Sequence, residues 1–421
     1  MPFLDQYDAL PAGDAPARIG LFLQWLRSDW RELFAELREH RPVLDVPLFL
    51  LVTRWSDVVG VLSRPGTFNV AYRAHMDPSV GPFMLARDNS ELNWHEKSVM
   101  RSLLRYNDLP VIRAVAGETA ATALADATRS STTVDIVAAL SRLVPLRVVQ
   151  RCFGFAGPDD ATMLRWSKAT QLDMFYNLSD DPHIHAANVQ AGTEMQKWLW
   201  DFLEQRKPWS EAQGDDTVSR LLRMTDAGFS DLDPARIVSN LCGLLVGAIE
   251  TMSQAINAAT EQILLRPEIA SSAIAAAQAN DTARLDSIVW EALRFNPITT
   301  FVVRVAAEDA VIAPDSDHAT KALAGRMVAA AIGSAMFDAD VFFEPDTFRD
   351  RPTHCYLHTG FGQHECLGQH IAFAVVPEAI RHILMLPGVH LLDGEAGKID
   401  MGGGPFAERF ALGLTAASTA G

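Results

Sequence analysis

The chain has 421 residues, 48% of them apolar and 21% charged, a balance that suits a large buried core and excludes a disordered or fibrous protein. Its 52 acidic residues outnumber 36 basic ones for a formal net charge of −16, and the basic residues are scattered along the chain. Phosphate and anionic lipid would be repelled, so neither nucleic-acid binding nor membrane insertion is expected.

Residues 1–17 carry Asp5, Asp8 and Asp14 and no basic stretch followed by an apolar one, so no secretory signal is read there. The longest apolar run nearby, residues 46–52, is too short to span a bilayer, and a cytoplasmic protein is expected. Apolar residues at helical spacing (Phe22, Leu26, Trp30, Leu33, Phe34, Leu37) predict one helix over residues 19–40, stopped by Pro42. Residues 43–46 and 49–53 read as a hairpin of a minor sheet. Residues 67–93, rich in Gly, Pro, Asp and Asn, read as an irregular loop whose large apolar side chains line a ligand cavity.

Further helices are predicted over residues 92–105, 111–127, 134–152, 159–175, 185–206 and 215–224. Asp233 and Pro234 supply a cap and a first-turn proline for a long helix reaching Leu265, roughly 45 Å at about 1.5 Å per residue. Its apolar centre, residues 241–247, requires burial on every side. A helix over 283–295 ends at Asn296 and Pro297, strands are predicted at 301–306, 310–312 and 326–331, and a last helix over 367–386 starts directly after Cys366. No linker, repeat or low-complexity block divides these elements, so a single domain over 1–421, mainly α with a small β region, is expected.

Three segments carry chemistry. The four cysteines, Cys152, Cys242, Cys355 and Cys366, form no CxxC pair, as in a reducing compartment, and only Cys366 has instructive neighbours. It lies among Gly360, Gly362 and Gly368 at a helix start, where amides and the helix dipole stabilise a thiolate and the glycines let backbone approach a flat, bulky group. Upstream, Glu291 and Arg294 are three apart on a helix and can pair. In the middle of the long helix, Glu250 and Thr251 place an acid and a hydroxyl in apolar surroundings, which is costly unless they have partners or work.

In this order the segments resemble the cytochrome P450 family. Residues 359–368 follow its haem-ligand pattern Phe-Gly-x-Gly-x-His-x-Cys-x-Gly, with Thr359 at the phenylalanine position and the other five fixed positions matching. Glu291 and Arg294 look like its Glu-x-x-Arg element, and residues 247–251 like its oxygen-activation motif; the resemblance is firm over 233–386 and thin before Leu92. It implies a cytochrome P450-like fold with haem b held between the long helix and the cysteine loop, Cys366 as the axial iron ligand, and His364, Arg304, Arg101 and Lys97 toward the propionates, Lys97 replacing the usual histidine. It further implies that Ala248, Gly360 and Gly368 lie against the haem, that Thr251 bonds the oxygen species, and that Glu250 relays protons. The activity implied is insertion of one oxygen atom from O2 into a small or medium apolar substrate.

Family position suggests Phe83, Met84, Leu244, Thr300, Phe301 and Phe406 as substrate-lining. No GxGxxG follows a strand, so electrons from NAD(P)H are expected through a separate ferredoxin and ferredoxin reductase, docking on Arg101, Arg105, Arg349 and Arg351. The sequence departs from the family at Ala248 (usually glycine), Met252 (usually Thr or Ser), Thr347 (often arginine, with Arg349 or Arg351 as substitutes), Pro377 inside the last helix, and Thr359, whose hydroxyl is expected to donate to the thiolate. A peroxide-using peroxygenase, a haem-thiolate isomerase or dehydratase, and a non-catalytic haem sensor are the alternatives; the first generally lacks an acid-threonine pair and the second would not need one. Asp180, Asp181, His183 and His185 have metal-ligand types but no ligand spacing, and read as a solvated loop.

Overall fold

Aspartates cap six of the helices. Asp14, Asp159, Asp181, Asp216, Asp233 and Asp281 each accept a backbone N–H of the first turn, a cap that contributes about 1 kcal/mol. Part of the acidic excess therefore serves the fold. The structure, a computed structural model, describes residues 2–88 and 90–415. It is mainly helical with a small β region, as expected, and it divides into two compact units.

The first unit comprises Met1–Ala71, Asp88–Ser90 and Thr299–Cys366. Its sheet has the order Val43–Val46, Phe49–Val52, Met327–Ala330, Val302–Ala306, Phe68–Val70. The first two strands form the expected antiparallel hairpin (Val43 opposite Val52), and Val302 pairs with Ala330. Tyr7, Phe22, Trp25, Phe34 and Leu37 pack against Phe49 and Leu51 of the sheet. Where one helix was expected over 19–40 there are two, Ala15–Ser28 and Trp30–His40. Asp29 leaves helical geometry (φ −140°) and its carboxylate accepts the Ser28 hydroxyl, a local bond that competes with the helix ladder. Helix Trp55–Leu62 was not foreseen.

The second unit comprises Tyr72–Arg87, Glu91–Ile298 and Leu367–Gly421. Its spine is the helix Pro234–Leu264, 31 residues and almost as predicted. By length and composition this helix could cross a membrane, yet most of its apolar stretch is buried inside the protein. The expected loop 67–93 holds a strand, Phe68–Val70, in the first unit and a helix, Arg73–Val80, in the second. The single helix expected over 134–152 is a strand, Thr133–Asp135, followed by α and π turns through Phe153. Strand Thr133–Asp135 pairs with Ala411–Gly413, a long-range partner that sequence periodicity does not reveal. Helix Pro182–Glu204 begins inside the segment read as a loop, with Asp181 as its cap, and helix Pro267–Ala279 was not foreseen. The last helix, Gln369–Leu384, starts three residues after Cys366 and includes Pro377.

Candidate active site

In the first unit the chain turns through Gly360 (φ +79°) and Gly362 (φ +73°), a backbone region that favours glycine. A Cβ on Gly362 would stand 2.9 Å from the Leu62 carbonyl oxygen. The turn is closed by the Cys366 N–H donating to the Thr359 carbonyl at 2.9 Å. Among the four cysteines only Cys366 is exposed. Burial pushes the Cys152 thiol up to about 11 and Cys242 higher still, so neither favours a thiolate.

Arg304 stands on strand Val302–Ala306 and is 4% exposed, yet the one hydrogen bond its guanidinium makes among the described residues is to the Val303 carbonyl, at 2.9 Å. A buried cation lacking a carboxylate partner is expensive, and the acidic edge of haem fits that need. Gly368 has an ordinary φ of −91° and nothing within 4 Å of where a Cβ would lie, so internal packing does not require glycine there, and the open space suits the close approach of a flat ligand. His364 turns Nε2 to Asp88 Oδ1 at 2.8 Å, and the same carboxylate accepts the Val70 N–H. The histidine expected at a propionate is thus oriented by an internal acid that went unread. Thr300 lends its carbonyl to the Gly333 N–H, and Phe301 lies 5.4 Å from the Phe49 ring against the apolar cluster of this unit.

In the second unit the long helix is buried almost throughout, but Gly243, Gly247, Ala248 and Thr251 form a less buried stripe at helical spacing. The Thr251 hydroxyl donates to the Gly247 carbonyl at 2.7 Å, which leaves its oxygen free to accept. The Phe83 ring packs on Gly243, where a Cβ would come within 2.3 Å of it. Leu244, Met84 and Phe406 are buried apolar side chains, and Phe406 meets the Tyr176 ring edge-on at 5.3 Å. Lys97 is half-buried and Arg101 exposed on helix Glu91–Leu103.

Glu250 points away from that stripe. It is 1% exposed and takes the Arg142 Nε at 3.0 and 3.2 Å on its two oxygens. Burial raises its pKa, while the charge and hydrogen bond of Arg142 oppose the rise. Gln254, Asn257 and Glu261 follow Glu250 at i+4, i+7 and i+11, a polar ridge on an otherwise apolar helix. These three line a cavity of about 310 Å³ with Asn296, Pro297 and Met401. Both polar side-chain atoms of Asn257 are buried without a partner among the described residues. Such atoms are normally satisfied by water or ligand. Arg142 and the ridge were missed from sequence, although polar residues at helical spacing within 250–261 were a legible signal.

Glu291 and Arg294 are both fully buried and form a bidentate pair, at 2.7 Å between Arg294 Nη2 and Glu291 Oε1 and 3.0 Å between Nε and Oε2. Three of the four arginines expected to receive a redox partner are engaged internally: Arg105 with Asp108 and Asp215, Arg349 with Glu344, and Arg351 with the carbonyls of Phe343 and Glu344.

Residues 161–385 match the family model described as Cytochrome P450. The chain is 25% identical to a steroid C26-monooxygenase of Mycolicibacterium smegmatis over 86% of this chain and 87% of that protein. It is 26% identical to the mycinamicin IV hydroxylase/epoxidase of Micromonospora griseorubida over 85% and 88%. Among solved structures, CalO2 superposes with a TM-score of 0.77 at 20% identity, covering 93% of this chain and 97% of that one. CYP109E1 from Bacillus megaterium in complex with testosterone gives 0.76 at 20% identity, covering 93% and 99%.

Proposed function

The chain belongs to the cytochrome P450 family and is a haem monooxygenase of the bacterial type, and from that premise we propose that it binds haem b through Cys366 and hydroxylates or epoxidises an apolar substrate. The carrying observation is the exposed Cys366, closed into a positive-φ glycine turn ahead of a helix. Coverage of 93% of the chain by the solved relatives supports reading residues 1–421 as one domain of the family. The apolar spine buried within the protein supports a cytoplasmic enzyme, and the lack of a GxGxxG after a strand supports electron delivery by a separate ferredoxin and ferredoxin reductase.

Bound thiolate-ligated haem supplies the reductive activation of O2 that delivers one oxygen atom to the substrate. The chain supplies the rest. The Cys366 turn presents a sulfur whose anionic form the following helix start favours. Arg304, with His364 set by Asp88, neutralises the acidic edge of the cofactor. Phe83, Met84, Leu244 and Phe406 give an apolar wall that orients substrate and excludes water. Thr251 holds a proton at its hydroxyl and passes it while Gly247 fixes its rotamer. Glu250, whose pKa burial raises against the opposing charge and hydrogen bond of Arg142, supplies the next proton, and water held by Gln254, Asn257 and Glu261 connects that acid to solvent.

The acid-threonine pair favours O2 over peroxide as oxidant. The decisive measurement is the absorption spectrum of the reduced, CO-bound enzyme. A strongly red-shifted Soret band in the wild type and not in Cys366→Ala is expected, and no such band in the wild type overturns the reading. Steroids and mycinamicin IV, the compounds named for the relatives, head a spin-state screen, and turnover with H2O2 alone but not with a ferredoxin system would establish the peroxygenase instead.

A further inference from the structure

Three elements of the second unit converge on one buried carboxylate. His75 comes from helix Arg73–Val80, Asp173 from the turn Leu172–Tyr176 and His185 from helix Pro182–Glu204. Asp173 is fully buried; its Oδ1 lies 2.9 Å from His75 Nδ1 and its Oδ2 2.8 Å from His185 Nδ1. One donor atom from each of the three lies within 4.8 Å of the others. Asn177 and Asn188 donate to the two carboxylate oxygens at 2.7 Å each and fix their orientation. The far nitrogen of His75, Nε2, lies 3.1 Å from Asp180 Oδ1.

That last contact decides the chemistry. A neutral imidazole carries one proton, and His75 has a carboxylate oxygen at each nitrogen. With the proton on Nε2, held by Asp180, the Nδ1 lone pair faces the anionic Asp173, a repulsion that a bound cation, or a second proton on the ring, removes. A carboxylate that fixes the outer N–H of an imidazole and frees the inner lone pair is the usual support of a metal-ligating histidine. Two carboxylates and two neutral imidazoles sum to a charge of −2, which one divalent cation balances. Two imidazole nitrogens and a carboxylate oxygen suit zinc-class ions rather than calcium or magnesium. The side chain of His185 is 40% exposed, which leaves room for water as a fourth ligand.

We propose that His75, Asp173 and His185 form a binding site for a divalent cation of the zinc class, supported by Asp180, that clamps helix Arg73–Val80 to helix Pro182–Glu204. The residues read from sequence as a solvated loop, Asp180 to His185, thus contribute one ligand and one supporting acid. The site is independent of the haem chemistry.

The test is titration of chelator-treated, haem-loaded enzyme with Zn²⁺ alone, followed by calorimetry and by zinc X-ray absorption. Expected are one tight equivalent, with nitrogen and oxygen neighbours at about 2.0–2.1 Å including imidazole, and its loss in His75→Ala and in His185→Ala. Asp180→Asn should weaken it by about 10–100-fold. Hydrogen exchange in residues 73–80 and 182–190 should slow on adding zinc. His185→Ala alters a partly exposed side chain, so it remains informative if the other variants misfold. Equal zinc affinity in wild type and His185→Ala, sulfur in the zinc shell, or no tight equivalent in the wild type overturns the proposal.

Discussion

Replacing Arg142 by methionine isolates what holds Glu250 inside the protein. The substitution keeps most of the side-chain volume and removes the cation 3.0 Å from a carboxylate that is 1% exposed. Breaking one half of a buried pair costs about 3–5 kcal/mol when the remaining charge stays ionised. Glu250 can escape by staying protonated. A glutamate in water titrates at about 4.3, so holding the proton costs at most about 3.7 kcal/mol at pH 7 and about 1 kcal/mol at pH 5. The lost hydrogen bond from Arg142 to the Ala407 carbonyl (2.9 Å) adds about 1 kcal/mol at either pH. Burial already raises the pKa of Glu250 and removing Arg142 raises it further, so the stability it contributes is present at low pH and is lost as pH rises above the ordinary carboxylate range. Urea unfolding followed by tryptophan fluorescence should therefore show the variant weaker than wild type by up to about 4–5 kcal/mol at pH 7 and up to about 2 kcal/mol at pH 5. Adding Glu250→Gln should restore the pH-dependent part and leave about 1 kcal/mol. A loss equal at both pH values, or no rescue, would refute the charge argument and leave Arg142 a packing residue.

Thr251→Ala should keep haem content and substrate binding but divert O2 consumption from product to peroxide, read as the ratio of product formed to NAD(P)H consumed; unchanged coupling removes the threonine from the proton path. Glu291→Ala removes the carboxylate paired with the fully buried Arg294 and should destabilise the protein by about 3–5 kcal/mol, seen as haem loss at lower urea concentration. An unchanged midpoint would contradict the pair's structural role. Thr359→Phe should lower the iron reduction potential in a redox titration if the hydroxyl donates to the thiolate, and an unchanged potential would place the hydroxyl elsewhere.

Much of the site was legible because its chemistry is local in the chain. The spacing of Gly360, Gly362 and Cys366 encodes one turn, and the observed positive φ values agree with it. Glu291 and Arg294 pair because a helix places residues three apart on one face, and Asp233 with Pro234 marked the start of the long helix. Segments 19–40 and 134–152 failed for the opposite reason. Asp29 is stabilised outside the helix by its neighbour, and Thr133–Asp135 becomes a strand only because residues 411–413 arrive beside it. Apolar periodicity carries neither fact.

By itself the sequence determined the fold class, the cysteine turn, the acid-threonine pair and the family they indicate, all of which depend on residues near one another along the chain. Only the tertiary structure decided which partners those residues keep. Arg142 reaches Glu250 across 108 residues, Asp88 meets His364 across 276, and His75 meets Asp173 across 98. Charge pairing falls off over a few ångströms and is indifferent to chain separation, so a buried ion pair between distant segments leaves no periodic trace. The stripe of Gly247, Ala248 and Thr251 became distinct from the polar ridge of Glu250, Gln254 and Asn257 only once packing had covered every other face of the long helix.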